Sequence, residues 1–421
     1  MGLASPPDGF TDPTEGGLCD HGPPFPLLPV DVVRRPTWQT DRMRYLDHAA
    51  TTPPRPEVLE AMAPYMGEIF GNPSGIHAVS RRAKNAVEEA RERAAAMLGA
   101  ARPLDVVFTG GGTESDNLAI AGAALAPAPG GGGVVTTAVE HEAVLACARF
   151  VVRMGGAVTV VPVGPTGVVD PADLADAVSS DTAVVSVMAA NNETGARQPV
   201  RKIAEAVRSA LPRVLVHTDA IQAFSADPVT VAEIAADLIT LSGHKLGGPK
   251  GVGLLVVPAG VELEPVIHGG GQELGRRSGT VDVAGIVGMV AAMEAAAADR
   301  EGFRARVGAA RDGFERRLAE LAPDVVPTVA GEDRLPQISH LRVPGIPADT
   351  LLVRLDQAGI AASAGSACSS GATRPSHVLT AMGMPRDHAA ECVRFSFGWP
   401  DRPQDGIAAA EAVAAVVGTL R

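Results

Sequence analysis

The feature that most constrains the fold is a repeated alternation between short apolar runs and amphipathic stretches. The run "DVVFT" (105–109) precedes the helical pattern "ESDNLAIAGAAL", and "VVTTAV" precedes "EHEAVLACARFVV". Continuous apolar strands with helices between them are typical of a mostly parallel sheet covered on both faces. The sequence therefore predicts an α/β protein. Further strands of this kind are predicted at "AVTVVPV", "AVVSVMAA", "RVLVHTDA" and "DLITLS".

The two ends of the chain depart from this alternation. Proline and glycine are frequent in the first forty or so residues, and both disfavour helix interiors and paired strands, so we predict a flexible extension over 1–43. After about residue 285 the pattern changes to alanine-rich helices with a few strands. We therefore predict a large domain over 56–285 with a mostly parallel sheet, and a smaller α/β lobe formed by 44–55 and 286–421.

Composition and charge limit the partners of the chain. The 421 residues are 46% hydrophobic and 20% charged, with a formal net charge of −12. This acidic balance argues against nucleic acid or an anionic membrane as a direct partner, and no apolar run is long enough to predict a membrane span. Scattered cysteines without disulfide or metal-site spacing favour a reducing cytoplasm and no bound metal. They are Cys19, Cys147, Cys368 and Cys392.

Lysine is rare in this sequence, and one lysine stands apart. Lys84 and Lys202 fall on polar faces of helical patterns, whereas Lys245 follows the apolar run "DLITLS" in the glycine-rich turn "SGHKLGGPKG". Reactive groups of α/β proteins collect at the carboxyl ends of strands, and burial can lower a lysine pKa enough to make the amine nucleophilic. A lysine at a strand end is more often structural or solvated, so its neighbours decide the interpretation.

Three other strand ends carry groups that could act with Lys245. The segment "FTGGGTESDN" is a glycine turn entering a helix, where free backbone N–H groups near Thr113 could bind phosphate. Asp219 could hold a proton on a ring nitrogen or simply cap a helix. His141 could stack on a planar ring or be a hydrogen-bonded structural histidine, and it lacks the second histidine of an HExxH zinc site. Together these groups describe a pocket for pyridoxal phosphate.

These strand-end residues belong to a series of short motifs that runs from about residue 44 to the C-terminus. The motifs are "YLDHAATTP", "GNPSGIH", "GGTESDNLAI", "VEHEAVL", "NNETG", "HTDAIQ", "SGHKLGGPKGVG", "HGGGQE", "RRSGT", "GSACSSG" and "VRFSFG". In this order they resemble the class V, aminotransferase-fold cysteine desulfurases of the IscS/NifS type. The resemblance implies the fold of pyridoxal phosphate-dependent transferases and an enzyme that takes sulfur from L-cysteine, giving L-alanine and a persulfide on Cys368.

The resemblance also implies which residues contact the cofactor. Lys245 would hold pyridoxal phosphate covalently, Asp219 would pair with its ring nitrogen, and His141 would stack on its ring and act in catalysis. Thr280 would reach the phosphate bound to a second subunit, which implies a homodimer. The other implied cofactor contacts are Gly112, Thr113, Asn192, Gln222, Ser242 and His244.

Substrate binding and sulfur transfer are implied for three residues. Asn192 and Arg394 would bind L-cysteine, and a guanidinium suits the substrate carboxylate, although an arginine in such a motif could equally form a surface salt bridge. Cys368 lies among small residues in "SAGSACSSGAT" (363–373), which predicts a mobile loop that carries the persulfide to an acceptor protein. The other cysteines fall in the predicted extension, in a helical pattern and before a predicted strand.

Several alternatives stay open at this point. Lys245 and His141 are both candidates to activate the Cys368 thiol. The reaction could instead be that of a selenocysteine lyase or another pyridoxal phosphate-dependent C–S lyase, whereas a pure binding platform would not need these chemical residues. The acceptor could serve iron–sulfur cluster assembly or another thio-modification. The sequence ends at "VVGTLR", without the longer tail with which some family members dock the iron–sulfur scaffold.

Overall fold

Short strands between Val106 and Val256 form the central sheet of the protein. The structure is a computed structural model that describes residues 43–126, 132–329, 331, 333–365 and 375–421. Most of the predicted extension and the segment that carries Cys368 therefore lie outside the described residues.

The strands are β1 (Arg44–Tyr45), β2 (Val106–Thr109), β3 (Gly133–Thr137), β4 (Val158–Val161), β5 (Thr182–Ser186), β6 (Leu215–Asp219), β7 (Leu238–Ser242), β8 (Gly253–Val256), β9 (Val326–Pro327), β10 (Ile338–Arg342), β11 (Ile360–Ala361) and β12 (Cys392–Ser396). The α-helices are α1 (Pro56–Met62), α2 (Ala78–Leu98), α3 (Gly112–Leu125), α4 (Glu142–Arg153), α5 (Pro171–Ala177), α6 (Val200–Ala210), α7 (Val231–Ile234), α8 (Val283–Ala298), α9 (Arg300–Leu321), α10 (Ala348–Gln357), α11 (His377–Ala381), α12 (Arg386–Ala389) and α13 (Pro403–Thr419).

The central sheet has the strand order β2-β8-β7-β6-β5-β3-β4. Neighbours from β7 to β4 are parallel, and β8 runs antiparallel to both β2 and β7. This topology confirms the predicted α/β class with a mostly parallel sheet. The sequence analysis placed no strand at β8, because this four-residue run follows directly on a glycine-rich turn and has little pattern of its own.

Helices cover the sheet, and most of its strands are buried along their length. β7 is buried along its whole length, as expected for a parallel strand with both faces covered. α8 is also apolar nearly all round, which is typical of a helix buried in a core. A Cβ atom at Gly288 of α8 would lie 2.6 Å from Met62 Sδ, so glycine allows α8 to approach α1 closely. Among the described helices, none is both long and apolar enough to cross a lipid bilayer.

A second, smaller sheet has the strand order β12-β10-β9 and is antiparallel. Phe314 packs against Phe395 of this sheet with ring centroids 5.0 Å apart. The segment after β1 runs beside β12, where Asp47 pairs with Ser396. All described residues fall in one compact unit, and the division into a large domain and a lobe stays a prediction.

Candidate active site

A cleft of about 290 Å³ opens at the carboxyl end of the central sheet. β6 ends at Asp219, β7 ends at Ser242, and β2 leads through a glycine turn into α3. Because these three strands run in the same direction, their carboxyl ends meet at one edge, where open α/β sheets bind ligands. The predicted site residues that line the cleft are Gly112, Thr113, His141, Asn192, Asp219, Gln222, Ser242, His244, Lys245 and Arg394.

The start of α3 forms one end of the cleft. Gly111 has φ +141, which favours glycine, and a Cβ atom on Gly112 would overlap the Ile221 side chain and lie 3.5 Å from Ser242 Cβ. Two successive glycines therefore let the helix start lie directly against the strand end. The backbone N–H groups of the first turn, including that of Thr113, have no partner within the helix, and they form a site suited to a phosphate.

His244 lies beside this helix start as a neutral side chain. Its Nδ1 lies 3.2 Å from Thr51 Oγ1. Burial, followed by the positive charges of Lys245 and Lys250, lowers the His244 pKa to about 4. The imidazole is therefore uncharged near pH 7 and contributes a hydrogen bond rather than a charge.

Lys245 is oriented by backbone carbonyl groups from the motif "YLDHAATTP". Its Nζ donates to the carbonyl oxygens of Ala49 and Ala50, each at 2.6 Å. Gln222 Nε2 also donates to the Ala49 oxygen, at 2.9 Å. The Ala49 N–H in turn donates to Ser396 Oγ at 2.9 Å, which ties this segment to β12. Residues distant in sequence thus direct the amine toward the cleft.

Two buried carboxyl groups line the same cleft as the lysine. Asp219 accepts a hydrogen bond from the Ile221 N–H at 2.9 Å, and its pKa is raised, mainly by burial. Asp116, on α3, also lines the cleft, and its Oδ1 lies 3.7 Å from His217 Nε2. Burial and the charge of Asp219 raise the Asp116 pKa well above its usual range. Sequence reasoning missed Asp116, although the quoted motif "GGTESDN" contains it.

His141 caps α4 and lines the cleft at the same time. Its Nδ1 accepts the Ala143 N–H at 3.1 Å, which places the proton of the neutral ring on Nε2. The preceding residue, Glu140, accepts hydrogen bonds from the Met188 N–H at 3.0 Å and from Thr137 Oγ1 at 2.7 Å. Burial raises the Glu140 pKa to about 8. Glu140 therefore connects the His141 turn to another wall of the cleft.

Arg394 enters the cleft from β12 and is not a surface salt bridge. Its side chain is only 2% exposed. Nη1 donates to the Asn192 carbonyl oxygen at 2.8 Å, and Nη2 donates to Asp47 Oδ1 at 2.7 Å. Asp47 was not singled out from the sequence, although it lies in "YLDHAATTP". Its contact with Arg394 depends on the pairing of two segments that are distant in the sequence, so the residues around Asp47 do not predict it.

Thr280 is exposed and does not line the cleft. It follows a loop that is anchored by the buried ion pair between Arg91 Nη1 and Glu273 Oε2, which are 2.7 Å apart. Gln272 Oε1 accepts the Gly279 N–H at 2.8 Å within the same loop. The structure therefore does not bring Thr280 together with the other predicted site residues of this chain.

Two of the four cysteines can be assessed in the structure. Burial raises the pKa of Cys147 to about 11 and that of Cys392 to about 12, so both are protonated and poorly reactive near pH 7. Cys19 and Cys368 lie outside the described residues. The part of the chain that the structure describes contains no group of three or more His, Cys, Asp or Glu residues placed to hold a metal ion.

The chemistry of the cleft fits pyridoxal phosphate. The helix start at Gly112 and Thr113 lines the cleft and offers backbone N–H groups suited to the phosphate. Asp219 is a buried acid suited to a protonated ring nitrogen, and Lys245 supplies an amine in the same space. Asp116 adds a second buried carboxyl to the same cleft.

Comparisons with known proteins support pyridoxal phosphate as the cofactor. Residues 44–405 match the family model described as aminotransferase class-V. The chain is 42% identical over 354 residues to the cysteine desulfurase IscS of Dictyoglomus turgidum, covering 84% of this chain and 89% of that protein. It is 40% identical over 352 residues to the cysteine desulfurase NifS of Azotobacter vinelandii, covering 84% of this chain and 87% of that protein. A solved NifS-like protein has a TM-score of 0.83 and 34% identity, covering 90% of this chain and 100% of that chain.

Fold and site together define an α/β enzyme that depends on pyridoxal phosphate. Within that class, the chain belongs to the aminotransferase class-V family, among its cysteine desulfurases. The predicted family, fold class and cofactor are thereby confirmed.

Proposed function

We propose that this cleft transfers the sulfur of L-cysteine to the thiol of Cys368. The Cβ–S bond of the substrate breaks, a sulfur–sulfur bond to Cys368 forms, and the β-carbon gains a proton to give L-alanine. Family membership makes the chain a pyridoxal phosphate-dependent cysteine desulfurase. The observation that supports these residue roles is the convergence of an amine, an acid and a guanidinium in one cleft, at Lys245, Asp219 and Arg394.

The cofactor, when bound, withdraws electrons from the substrate and weakens the bonds at its α- and β-carbons. We assign Lys245 to its covalent attachment and Asp219 to the ring nitrogen, where a carboxylate favours the protonated ring. The first turn of α3 at Thr113, together with Ser242 and His244, would bind the phosphate.

Substrate binding and proton transfer fall to three side chains. The Arg394 guanidinium would bind the substrate carboxylate, because its planar donors match two carboxylate oxygens. His141 presents Nε2–H as a donor, since its Nδ1 already accepts the Ala143 N–H. That arrangement favours Lys245 Nζ as the base that takes the α-proton and activates the attacking thiol.

Cys368 is proposed as the sulfur carrier on two grounds. Cys147 and Cys392 are buried and have raised pKa values, which makes them poor nucleophiles. Gly365 lines the cleft, and the three residues of chain from Gly365 to Cys368 span at most about 11 Å. The Cys368 thiol is thus tethered within a short distance of the cleft.

The proposed partners follow from family and site. The chain takes L-cysteine and passes sulfur to an acceptor protein, for iron–sulfur cluster assembly or another thio-modification. A solved relative, SspA, is described as in complex with cysteine and is 34% identical to this chain, with a TM-score of 0.73 over 84% of this chain and 99% of that chain. Widely spaced cysteines support a cytoplasmic location.

The experiment that tests the proposed function measures L-alanine and sulfide released from L-cysteine by the holoenzyme in the presence of a thiol reductant. We expect equal amounts from the wild type and a loss of at least about 10²-fold in Cys368→Ala, because the nucleophile is missing. Cys147→Ala is the matched control and should keep its activity. Full turnover by Cys368→Ala would rule out the thiol mechanism, and preference for L-selenocysteine would favour a selenocysteine lyase.

A homodimer is the second part of this proposal. The exposed position of Thr280, on an anchored loop outside its own cleft, supports a contact with the phosphate bound by a second subunit. Light scattering should give twice the mass of the chain, and Thr280→Ala should weaken cofactor uptake about tenfold through loss of a hydrogen bond. A monomeric holoenzyme with wild-type cofactor affinity would contradict the dimer.

A further inference from the structure

Arg394 already contacts a carboxylate of this chain at the place where the substrate carboxylate would bind. Its Nη2 donates to Asp47 Oδ1 at 2.7 Å, and its Nη1 donates to the Asn192 carbonyl oxygen at 2.8 Å. The guanidinium is almost wholly buried, so solvent contributes little to stabilising its charge. A buried cation of this kind requires a counter-ion, and Asp47 supplies it.

The other groups around Arg394 do not replace this ion pair. His340 lies opposite Arg394 in the register of β10 and β12, and burial lowers the His340 pKa to about 3, so its ring is neutral. The nearby Glu193 carboxyl accepts a hydrogen bond from the Ser376 hydroxyl at 2.5 Å, and burial raises the Glu193 pKa. Among the described residues, Asp47 is therefore the carboxylate in direct contact with the guanidinium.

The Asp47 side chain is held less firmly than the backbone that carries it. Within the described residues, Arg394 is the sole hydrogen-bond donor to its carboxylate. The side chain is 20% exposed, against 2% for Arg394. The backbone of Asp47, by contrast, pairs with Ser396 beside β12. A change of side-chain rotamer can thus release the carboxylate without moving the segment.

We propose that Asp47 is a displaceable counter-ion of Arg394, whose carboxylate gives way to that of the incoming amino acid and so sets the affinity for the substrate. This inference rests on the proposed function, which makes Arg394 the receptor for the substrate carboxylate. A counter-ion of this kind stabilises the empty site. It also lowers substrate affinity, because a carboxylate that binds has to break an existing ion pair.

The test uses Asp47→Asn in the holoenzyme and propionate as the probe. Propionate carries the carboxylate of the substrate without its amino group or thiol. We expect its inhibition constant against L-cysteine to fall about tenfold, which corresponds to about 1.4 kcal/mol. KM for L-cysteine should fall to a similar extent while kcat changes by less than about twofold, as expected for a change in ground-state binding. The ligand-free melting temperature should also fall.

Glu315→Gln is the matched control for loss of a buried ion pair. Glu315 binds Arg334, and the two side chains are 14% and 8% exposed. This pair does not line the cleft, so the control should lower the melting temperature and leave propionate inhibition and KM unchanged. If Asp47→Asn behaves in the same way, Asp47 is a purely structural partner and the proposal is overturned. Asp47→Ser replaces Asp47→Asn if the latter does not fold.

Arg394→Lys separates failure of this inference from failure of the proposed function. If Arg394→Lys leaves propionate inhibition and KM unchanged, Arg394 is not the carboxylate receptor, and the proposed function and the inference fail together. If Arg394→Lys weakens propionate binding while Asp47→Asn leaves it unchanged, the inference alone fails.

Discussion

The two ends of the cleft are built differently. At the cofactor end, two adjacent strands of the central sheet end at Asp219 and Ser242, and Lys245 lies in the turn that follows Ser242. At the substrate end, Arg394 comes from the smaller sheet, and its partners Asn192 and Asp47 are 202 and 347 positions away in the sequence. The first end is a feature of one sheet, whereas the second exists only where separate parts of the chain meet.

This difference predicts that the two ends of the cleft affect different kinetic parameters. The cofactor end is formed by buried strand ends and by the start of α3, where a Cβ atom on Gly112 would meet the Ile221 side chain. The substrate end contains an ion pair with one partly exposed partner, which a second anion can rearrange. Changes at the first end should therefore affect cofactor binding and kcat, and changes at the second should affect KM.

The largest effect is expected for Lys245→Ala. Loss of the amine removes both the covalent attachment and the proposed base, so turnover should fall by at least about 10³-fold. The measurement is L-alanine formation, together with the visible absorption of the bound cofactor. Lys250→Ala, which changes an exposed lysine five positions further on, is the control and should keep wild-type turnover. Substantial activity in Lys245→Ala would show that the cofactor end does not depend on its amine.

Arg394→Lys tests whether the two ends are independent. Lysine keeps the charge but loses the planar pair of donors, so KM for L-cysteine should rise about tenfold or more. Cofactor uptake, followed by absorption, should match the wild type. Arg342→Lys, which changes a residue of β10 paired with Glu391, should alter neither quantity. A loss of cofactor from Arg394→Lys would break the proposed division between the ends.

Gly112→Ala examines the closeness of packing at the phosphate end. The added Cβ atom would lie 2.2 Å from Ile221 Cδ1, so either the Ile221 side chain or the helix start has to shift. We expect the dissociation constant of the cofactor to rise about tenfold, the equivalent of about 1.4 kcal/mol, with little change in KM. Gly67→Ala is the control, since no atom lies within 4 Å of its Cβ position. Unchanged cofactor affinity would show that the turn accommodates an added methyl group without disturbing the phosphate site.

The last prediction concerns stability rather than turnover, and it is a pH dependence at the His141 turn. Burial raises the Glu140 pKa from 4.5 to about 8, so between these values the folded protein holds a proton that the unfolded chain has lost. The stability of the wild type relative to Glu140→Gln should therefore fall as pH rises through this range, by up to about 1.4 kcal/mol per pH unit, and level off above it. Urea unfolding of both proteins at several pH values measures this difference. A constant difference from pH 5 to pH 9 would show that Glu140 is ionised in the folded state.

Much of the cofactor end could be predicted from the sequence. An apolar run reveals where a parallel strand stops, and Asp219, Ser242 and Lys245 stand at or just after such stops. Carboxyl ends of parallel strands meet at one edge, so local pattern was sufficient to predict that these residues share a site. β8 was missed because its short run follows a glycine-rich turn, and its place between β2 and β7 depends on long-range pairing.

The residues that escaped prediction act through distant partners. The Asp47 carboxylate, the Ala49 carbonyl and the buried Asp116 all lie in motifs that the sequence analysis quoted. Nothing in those motifs indicates that Asp47 binds Arg394 or that Ala49 orients Lys245. Such contacts depend on which backbone segments the packed core brings together.

The sequence by itself determined the alternation of strands and helices and the identity of the reactive groups, because hydrophobic periodicity and residue chemistry are local properties. Only the tertiary structure decided which nitrogen of His141 carries the proton and which carboxylate neutralises Arg394. Hydrogen bonds and ion pairs form over about 3 Å. Their partners are therefore selected by the packing of the whole core, which places segments far apart in the chain within that distance.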